Sequence, residues 1–279
     1  MDDGIRVGAG IATIEPDRHR PGSFTLVVDG TPQSHVDMED PTHLAFEYIR
    51  RIGHAIDLLP EGPITALHLG AGALTLPRYV AATRPGSRQQ VIELERDLVD
   101  VVRRELPFPR GASIRVRYGD ARETLGKLPA GLTGTVDLAV VDVFGGARIP
   151  AHVTSLEFYR SVAALLSPTG IVAVNVADGA GLAFARGQVA TLHAVLPSVA
   201  AVADTGMLKG RRFGNIVVLG SPTDLPVAEM PRLYGSDPLP SKVVHGAELR
   251  DLVAGASIVT DATAVDSPEP NRSVFTSGR

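Results

Sequence analysis

Residues 66–97 read ALHLGAGALTLPRYVAATRPGSRQQVIELERD, and this stretch decides the fold. The apolar run 66–69 predicts a buried strand. Gly70 and Gly72 predict a tight turn, 76–83 a helix, and 90–94 a second strand that carries an acid, Glu93, at its end. Glycines let the backbone turn sharply and approach a ligand closely, and an acid about 20 residues on sits where ribose hydroxyls can donate to it. Strand, turn, helix and acid agree on the first β-α-β unit of a nucleoside-binding domain.

The alternation continues toward the C-terminus. A helix over 97–106 is closed by Pro107, and a strand over 113–118 ends at Gly119-Asp120-Ala121. A short helix over 122–128 leads to the apolar strand 136–141, which runs into Asp142. Then come a helix (156–166) stopped by Pro168 and Gly170, a strand (171–176), a helix (183–196) and strands at 199–204 and 215–219. Strands separated by helices of this length imply a mostly parallel sheet covered on both faces. The last two strands read as an antiparallel pair. The expected fold is therefore α/β, a Rossmann-like sheet of the S-adenosylmethionine-methyltransferase type. A further helix is expected over 246–254.

Toward the N-terminus, 5–14 and 23–28 are β-like, joined by a loop over 15–22. Asp29-Gly30 is a tight-turn pair, and a short segment reaches Gln33, so the start of the chain reads as a small β module. Asp40-Pro41 predicts a helix start, with Asp as N-cap and Pro in the first turn, running to about Leu59. The expected organisation is 1–60 for the β module and linking helix, 61–265 for the nucleoside domain, and 266–279 for a mobile tail with little to bury.

The chain has 279 residues, enough for a substantial core, with 44% hydrophobic and 21% charged residues. A net charge of −4 without a basic block argues against nucleic acid as a partner. The absence of cysteine excludes disulfides, thiolate metal sites and a cysteine nucleophile. Asp2 and Asp3 follow Met1, and no basic-then-apolar leader pattern is present. The least charged stretch, 161–177, is interrupted by Pro168, Gly170 and Asn175 and does not read as a membrane span. The expectation is a cytoplasmic protein acting on a small molecule, with no membrane or nucleic-acid partner.

In an open parallel sheet, ligands bind beyond the carboxyl ends of the strands. Four such ends carry informative residues: the Gly70/Gly72 turn, Glu93, Asp120 and Asp142. Glu93 is placed to hold ribose hydroxyls, and Asp120 with the Ala121 amide to hold an adenine edge. Taken alone, Glu93 also reads as a solvated acid and Asp120 as a helix N-cap. Asp142 follows the apolar run Leu138-Ala139-Val140-Val141, and a carboxylate there costs desolvation unless it is used or paired. His35 and His43, near Asp37, Glu39 and Asp40, lack tight metal-ligand spacing, so no metal is expected. Arg211-Arg212 reads as a solvated turn. Ser34 and Ser155 have no triad partners at recognisable spacing.

Over residues 24–221 the chain resembles the spermidine synthase family of aminopropyltransferases. Asp29-Gly30 with Gln33, Glu47, the glycine turn, Glu93-Leu94-Glu95, Gly119-Asp120-Ala121 and Asp142 fall in the family order. So do Glu157-Phe158-Tyr159, Pro168-Thr169-Gly170 and Arg212-Phe213-Gly214-Asn215. The resemblance implies transfer of an aminopropyl group from decarboxylated S-adenosylmethionine to an amine. Gln33, Gly70, Gly72, Glu93, Asp120 and Ala121 would hold the nucleoside, and Asp142 would be the base. It implies no tightly bound cofactor, the donor being a co-substrate, and a homodimer. Three positions depart from the family pattern. The turn Gly70-Ala71-Gly72-Ala73-Leu74-Thr75 carries no acid, Asp142-Val143-Phe144-Gly145 lacks the family's second aspartate, and Ala45-Phe46 replace a tyrosine-histidine pair. These are groups that would recognise a dicationic amine. Methyl transfer from intact S-adenosylmethionine and non-catalytic nucleoside binding are the rival expectations.

Overall fold

Two sheets organise the chain. The computed structural model describes residues 4–8 and 10–270. A four-stranded antiparallel sheet comprises β1 (Ile5–Val7), β2 (Gly10–Pro16), β3 (Ser23–Val28) and β4 (Thr31–Asp37), in that order. The single strand expected over 5–14 is two, because the chain folds back after Val7 and pairs it with Gly10. Asp29, at φ 46°, and Gly30, at φ 75°, make the left-handed turn between β3 and β4.

The linking helix α1 spans Glu47–Asp57. It does not start at Asp40-Pro41. Asp40 instead accepts from the Thr42 N–H at 3.1 Å, and its own N–H donates to Asp37 at 2.8 Å, so the side chain closes a local turn that competes with the helix. Arg50 then donates to the carbonyls of Leu44 and Ala45, at 2.9 and 2.5 Å, holding the entry segment extended.

The second sheet is built in sequence from β5 (Thr65–Leu69), α2 (Thr75–Thr83), β6 (Arg88–Glu93), α3 (Arg96–Glu105), β7 (Ser113–Tyr118) and α4 (Ala121–Leu125). It continues through β8 (Val136–Val141), α5 (Leu156–Ala163), β9 (Leu166–Asp178), α6 (Ala183–His193), β10 (Ser198–Ala203) and α7 (Thr205–Leu208). It closes with β11 (Gly214–Ser221), α8 (Met230–Gly235), β12 (Lys242–His245) and α9 (Gly246–Leu252). The strand order is β12-β10-β11-β9-β8-β5-β6-β7. The five strands from β9 to β7 are parallel, and β11, β10 and β12 pair antiparallel in succession. Pro168 and Gly170 do not end a turn before β9 but lie within it, beside a register shift against Val136 and Leu138. An irregularity of that kind is where a sheet tolerates proline.

Strand alternation sends side chains to both faces. Leu67, Leu69, Ala139 and Val141 pack with Phe158, Val162 and Val189 on one side of the sheet. Ala66, Leu138 and Val140 pack with Ile52, Ile56 and Val80 on the other. A third cluster joins Val7, Leu26 and Val36 of the small sheet to Leu74, Val99 and Val102, so the β module is seated over the glycine turn and α3. Backbone contacts reinforce this seat: Gly8 N–H donates to Glu95 at 2.8 Å, and Thr75 donates to the His35 carbonyl at 2.8 Å.

The expected tail is not free at its start. Ser267 is fully buried, its N–H donates to the Ile149 carbonyl at 3.0 Å, and its hydroxyl accepts from Ile149 N–H at 2.9 Å. Arg148 donates to the Ser267 carbonyl at 2.6 Å, and Asp266 accepts from Ala151 N–H at 2.9 Å. Short polar side chains here satisfy a loop backbone, a role that composition does not announce. The rest of the expected tail, 271–279, lies outside the described residues. Among the described residues no helix is long and apolar enough to cross a membrane.

Candidate active site

The carboxyl ends of β5, β6, β7 and β8 surround a cavity of about 390 Å³, closed on one side by the small sheet, whose β4 contributes Thr31, Gln33 and Ser34. Gln33, Gly70, Gly72, Glu93, Asp120, Ala121 and Asp142, the residues singled out in the sequence, all line it. The topology brings them together because successive parallel strands end at one edge.

The glycine turn needs its glycines for two separate reasons. Gly70 has φ +89°, and a Cβ there would lie 2.0 Å from the Asp142 carbonyl oxygen; Gly72 has φ +49°, and a Cβ would meet the Ser34 hydroxyl at 2.3 Å. Gly70→Ala is therefore expected to destabilise the protein by at least about 2 kcal/mol in chemical denaturation, through left-handed strain plus a backbone clash. Leu74 follows at φ 63°, buried, where α2 begins.

Glu93 is engaged at both oxygens. One accepts from Ala71 N–H at 2.7 Å, the other from Glu95 N–H at 3.0 Å. The acid thus fixes the glycine turn while its remaining lone pairs face the cavity. Asp120 caps α4, accepting from Glu123 N–H at 3.0 Å, and its second oxygen meets His152 Nε2 at 2.7 Å. Burial alone would raise its pKa, but the Glu123 N–H and the His152 ring outweigh that and hold it below the ordinary carboxylate range. The capping role and the cavity position coexist.

Asp142 sits in the most unusual setting. Burial pushes its carboxyl up to about 6, assisted by the nearby Glu93 charge and opposed by Asn175 and Tyr48. Asn175 Nδ2 donates to it at 2.8 Å, and Asn215 Nδ2 donates in turn to Asn175 Oδ1 at 2.9 Å. The Tyr48 hydroxyl interacts with the same carboxylate; burial, then the Asp142 charge, raise the phenol's pKa well above its ordinary value. Tyr48, Asn175 and Asn215 were not legible as site residues, since Tyr48 reads as part of an amphipathic helix and the two asparagines lie within apolar strands.

A second cavity of about 450 Å³ adjoins the first and shares Thr31, Gln33, Tyr48 and Phe144 with it. Asn175 and Asn215 line this second cavity, so Asp142 stands at the seam between the two. Glu47, Arg51 and Arg212 also line it. Arg212, expected in a solvated turn, instead reaches Glu47 at 3.4 Å and pairs with Asp204. Arg51 is 1% exposed and donates to Glu47 at 3.0 Å, to Ser241 at 2.8 Å and to the Asn215 carbonyl at 3.0 Å.

The other candidates resolve structurally. His35 Nε2 meets Asp17 at 3.1 Å and packs edge-on to His43 at 5.9 Å. Ser34 accepts from Ala73 N–H at 3.2 Å, and Ser155 caps α5.

No protein-family model matches the chain. A polyamine aminopropyltransferase of Vibrio vulnificus (strain CMCP6) is 29% identical over 142 residues, covering 50% of this chain and 46% of that protein. The chain thus spans about half the length of the curated relatives it matches. The crystal structure of a probable spermidine synthase from Corynebacterium glutamicum ATCC 13032 superposes with a TM-score of 0.84 at 29% identity, covering 93% of this chain and 96% of that one. Human methyltransferase-like protein 13, solved in complex with SAH, shares the fold at a TM-score of 0.55 and 19% identity, over 68% of this chain and 89% of that one. The sheet order and the near-complete overlap with the Corynebacterium structure agree, and the chain resembles the spermidine synthases in sequence and in its methyltransferase-type α/β fold.

Proposed function

We propose that the chain transfers an aminopropyl group from decarboxylated S-adenosylmethionine to an amine. The observation that carries this reading is the placement of Asp142, a carboxyl raised to about 6, at the seam of two adjoining cavities. The first cavity supports a cationic donor: Asp29, Glu93, Glu95, Asp120 and Asp142 line it, with no lysine or arginine among its lining residues. A sulfonium carrying a free ammonium suits that field. Among the described residues the carboxylate of intact S-adenosylmethionine would meet no lysine or arginine there, which favours the decarboxylated donor over methyl transfer.

In this reading Glu93 holds the ribose hydroxyls, Gln33, Asp120 and the Ala121 amide hold the base, and Gly70 and Gly72 leave room for sugar and sulfur. The amine lies in the second cavity with its nitrogen at Asp142. Its lone pair forms the new C–N bond as the C–S bond breaks, and that bond's electrons go to sulfur, leaving neutral methylthioadenosine. The nitrogen's proton passes to Asp142 and then to solvent. A base near neutral pH is matched to this task, and alignment with exclusion of water supplies the rest.

The test follows methylthioadenosine release by mass spectrometry with decarboxylated S-adenosylmethionine and a panel of amines. Release that depends on one amine supports the transfer. S-adenosylhomocysteine formed from intact S-adenosylmethionine, with no release from the decarboxylated donor, would move the assignment to methyl transfer. Glu93→Gln is expected to weaken methylthioadenosine binding by about tenfold to a hundredfold in calorimetric titration, the loss of one charge-assisted hydrogen bond.

A further inference from the structure

The second cavity differs in charge from the first. Its lining holds two guanidinium groups, Arg51 and Arg212, against one carboxylate, Glu47. That carboxylate already faces both cations, with Arg51 at 3.0 Å and Arg212 at 3.4 Å on the same Oε2. Arg51 is buried, and each of its three nitrogens already donates: Nε to Ser241, Nη1 to the Asn215 carbonyl and Nη2 to Glu47. Arg212 is different. Its side chain is 47% exposed, and both of its contacts, to Glu47 and Asp204, use Nη2. Among the described residues nothing accepts from its Nε or Nη1. Ala45, Phe46, Phe144 and Pro32 also line this cavity and give it apolar surface suited to methylenes.

An ammonium at the far end of an acceptor would lie beside two arginines, and the one carboxylate among the described lining residues, Glu47, already faces both of them, so its desolvation would be poorly repaid. A carboxylate would meet the fork of Arg212, the geometry guanidinium groups recognise best. We propose that the amine acceptor of this site carries a carboxylate at its far end, seated on Arg212, with its amine at Asp142: an amino acid rather than a diamine. This rests on the transferase reading above and names its acceptor class.

The experiment compares ω-amino acids of three to five carbons with diamines of the same lengths, at saturating decarboxylated S-adenosylmethionine. The best amino acid is expected to exceed the best diamine at least about tenfold in kcat/KM, mostly through KM, about what one charge-assisted hydrogen bond is worth. Arg212→Gln is expected to erase that ratio, and Arg212→Lys to keep part of it. A diamine that matches or exceeds every amino acid would overturn the acceptor class while leaving aminopropyl transfer intact. Should no amine turn over, the transfer itself has failed, and titration of the same compounds into protein holding methylthioadenosine decides the Arg212 site. Tighter binding of an amino acid, lost in Arg212→Gln, supports it; tighter binding of a diamine, or binding of neither class, sinks it.

Discussion

Asp142→Asn is expected to cut turnover by about a hundredfold to ten-thousandfold, the range of general-base catalysis, while making the folded protein more stable at neutral pH. The two effects share one cause. The Asp142 carboxyl titrates at about 6 in the fold against an ordinary 3.8, because burial penalises its charge. The folded chain therefore holds this proton more tightly than the unfolded chain does. Stability is lost as pH rises from about 4 to about 6. Above that window the ionised group costs roughly 3 kcal/mol, since each tenfold difference in proton affinity between the folded and unfolded chain is worth about 1.4 kcal/mol. The amide carries no charge and can still accept from Asn175, so the variant recovers much of that cost, about 1 to 3 kcal/mol at pH 7.5. Below pH 4, where Asp142 is protonated in both states, the difference between the two proteins shrinks. Activity moves the opposite way, since the base must be ionised: wild-type kcat should fall as pH drops through about 6. Denaturant titrations at both pH values, with a pH–rate profile, check the pair. A variant that kept full turnover would remove Asp142 from the chemistry.

Arg51→Met is expected to destabilise the fold by about 3 to 5 kcal/mol, the usual cost of breaking a buried ion pair from one side. Arg51 donates to three groups at once, Glu47 on its own helix, the Asn215 carbonyl on β11 and Ser241 just before β12, and so ties α1 to two other parts of the fold. Methionine matches the stem but leaves the carbonyl and hydroxyl without their donor. Among the described residues Glu47 then retains only Arg212, at 3.4 Å. The double variant Glu47→Gln/Arg51→Met should recover part of the loss, because it no longer strands a carboxylate. Denaturation midpoints of the single and double variants measure this, and full additivity would show that the two groups do not interact.

Much of the fold was legible because its elements satisfy local and global demands together. The run 138–141 is apolar without alternation, as a strand buried on both faces must be, and it pairs on both edges with parallel neighbours. That the strand-end residues line one cavity followed from topology once the glycine turn was read. What escaped depended on contacts distant in sequence. Arg212 reads as a surface residue until α1 places Glu47 beside it. Asn175 reads as an oddity in an apolar strand until Asn215 and Asp142 flank it. Asp40-Pro41 carried a genuine helix-start signal, but Asp37 and Thr42 offered the same groups a closer partner. Strand β12 and helix α8 were missed because prolines and small residues around 222–241 mask four-residue and six-residue elements.

The pinning of Ser267 to Ile149 has a temporal consequence. Phe144, Gly146 and Ala147, on the loop that follows Asp142, line both cavities, and that loop reaches its partners across 118 positions of sequence. During synthesis the chain emerges from its N-terminus, so the small sheet and the glycine turn can assemble long before this loop finds Ser267. The cover of the site is the last part of it to be finished. A nascent chain can acquire the floor of the nucleoside cavity early, but it is fully roofed only after Ser267 has been made.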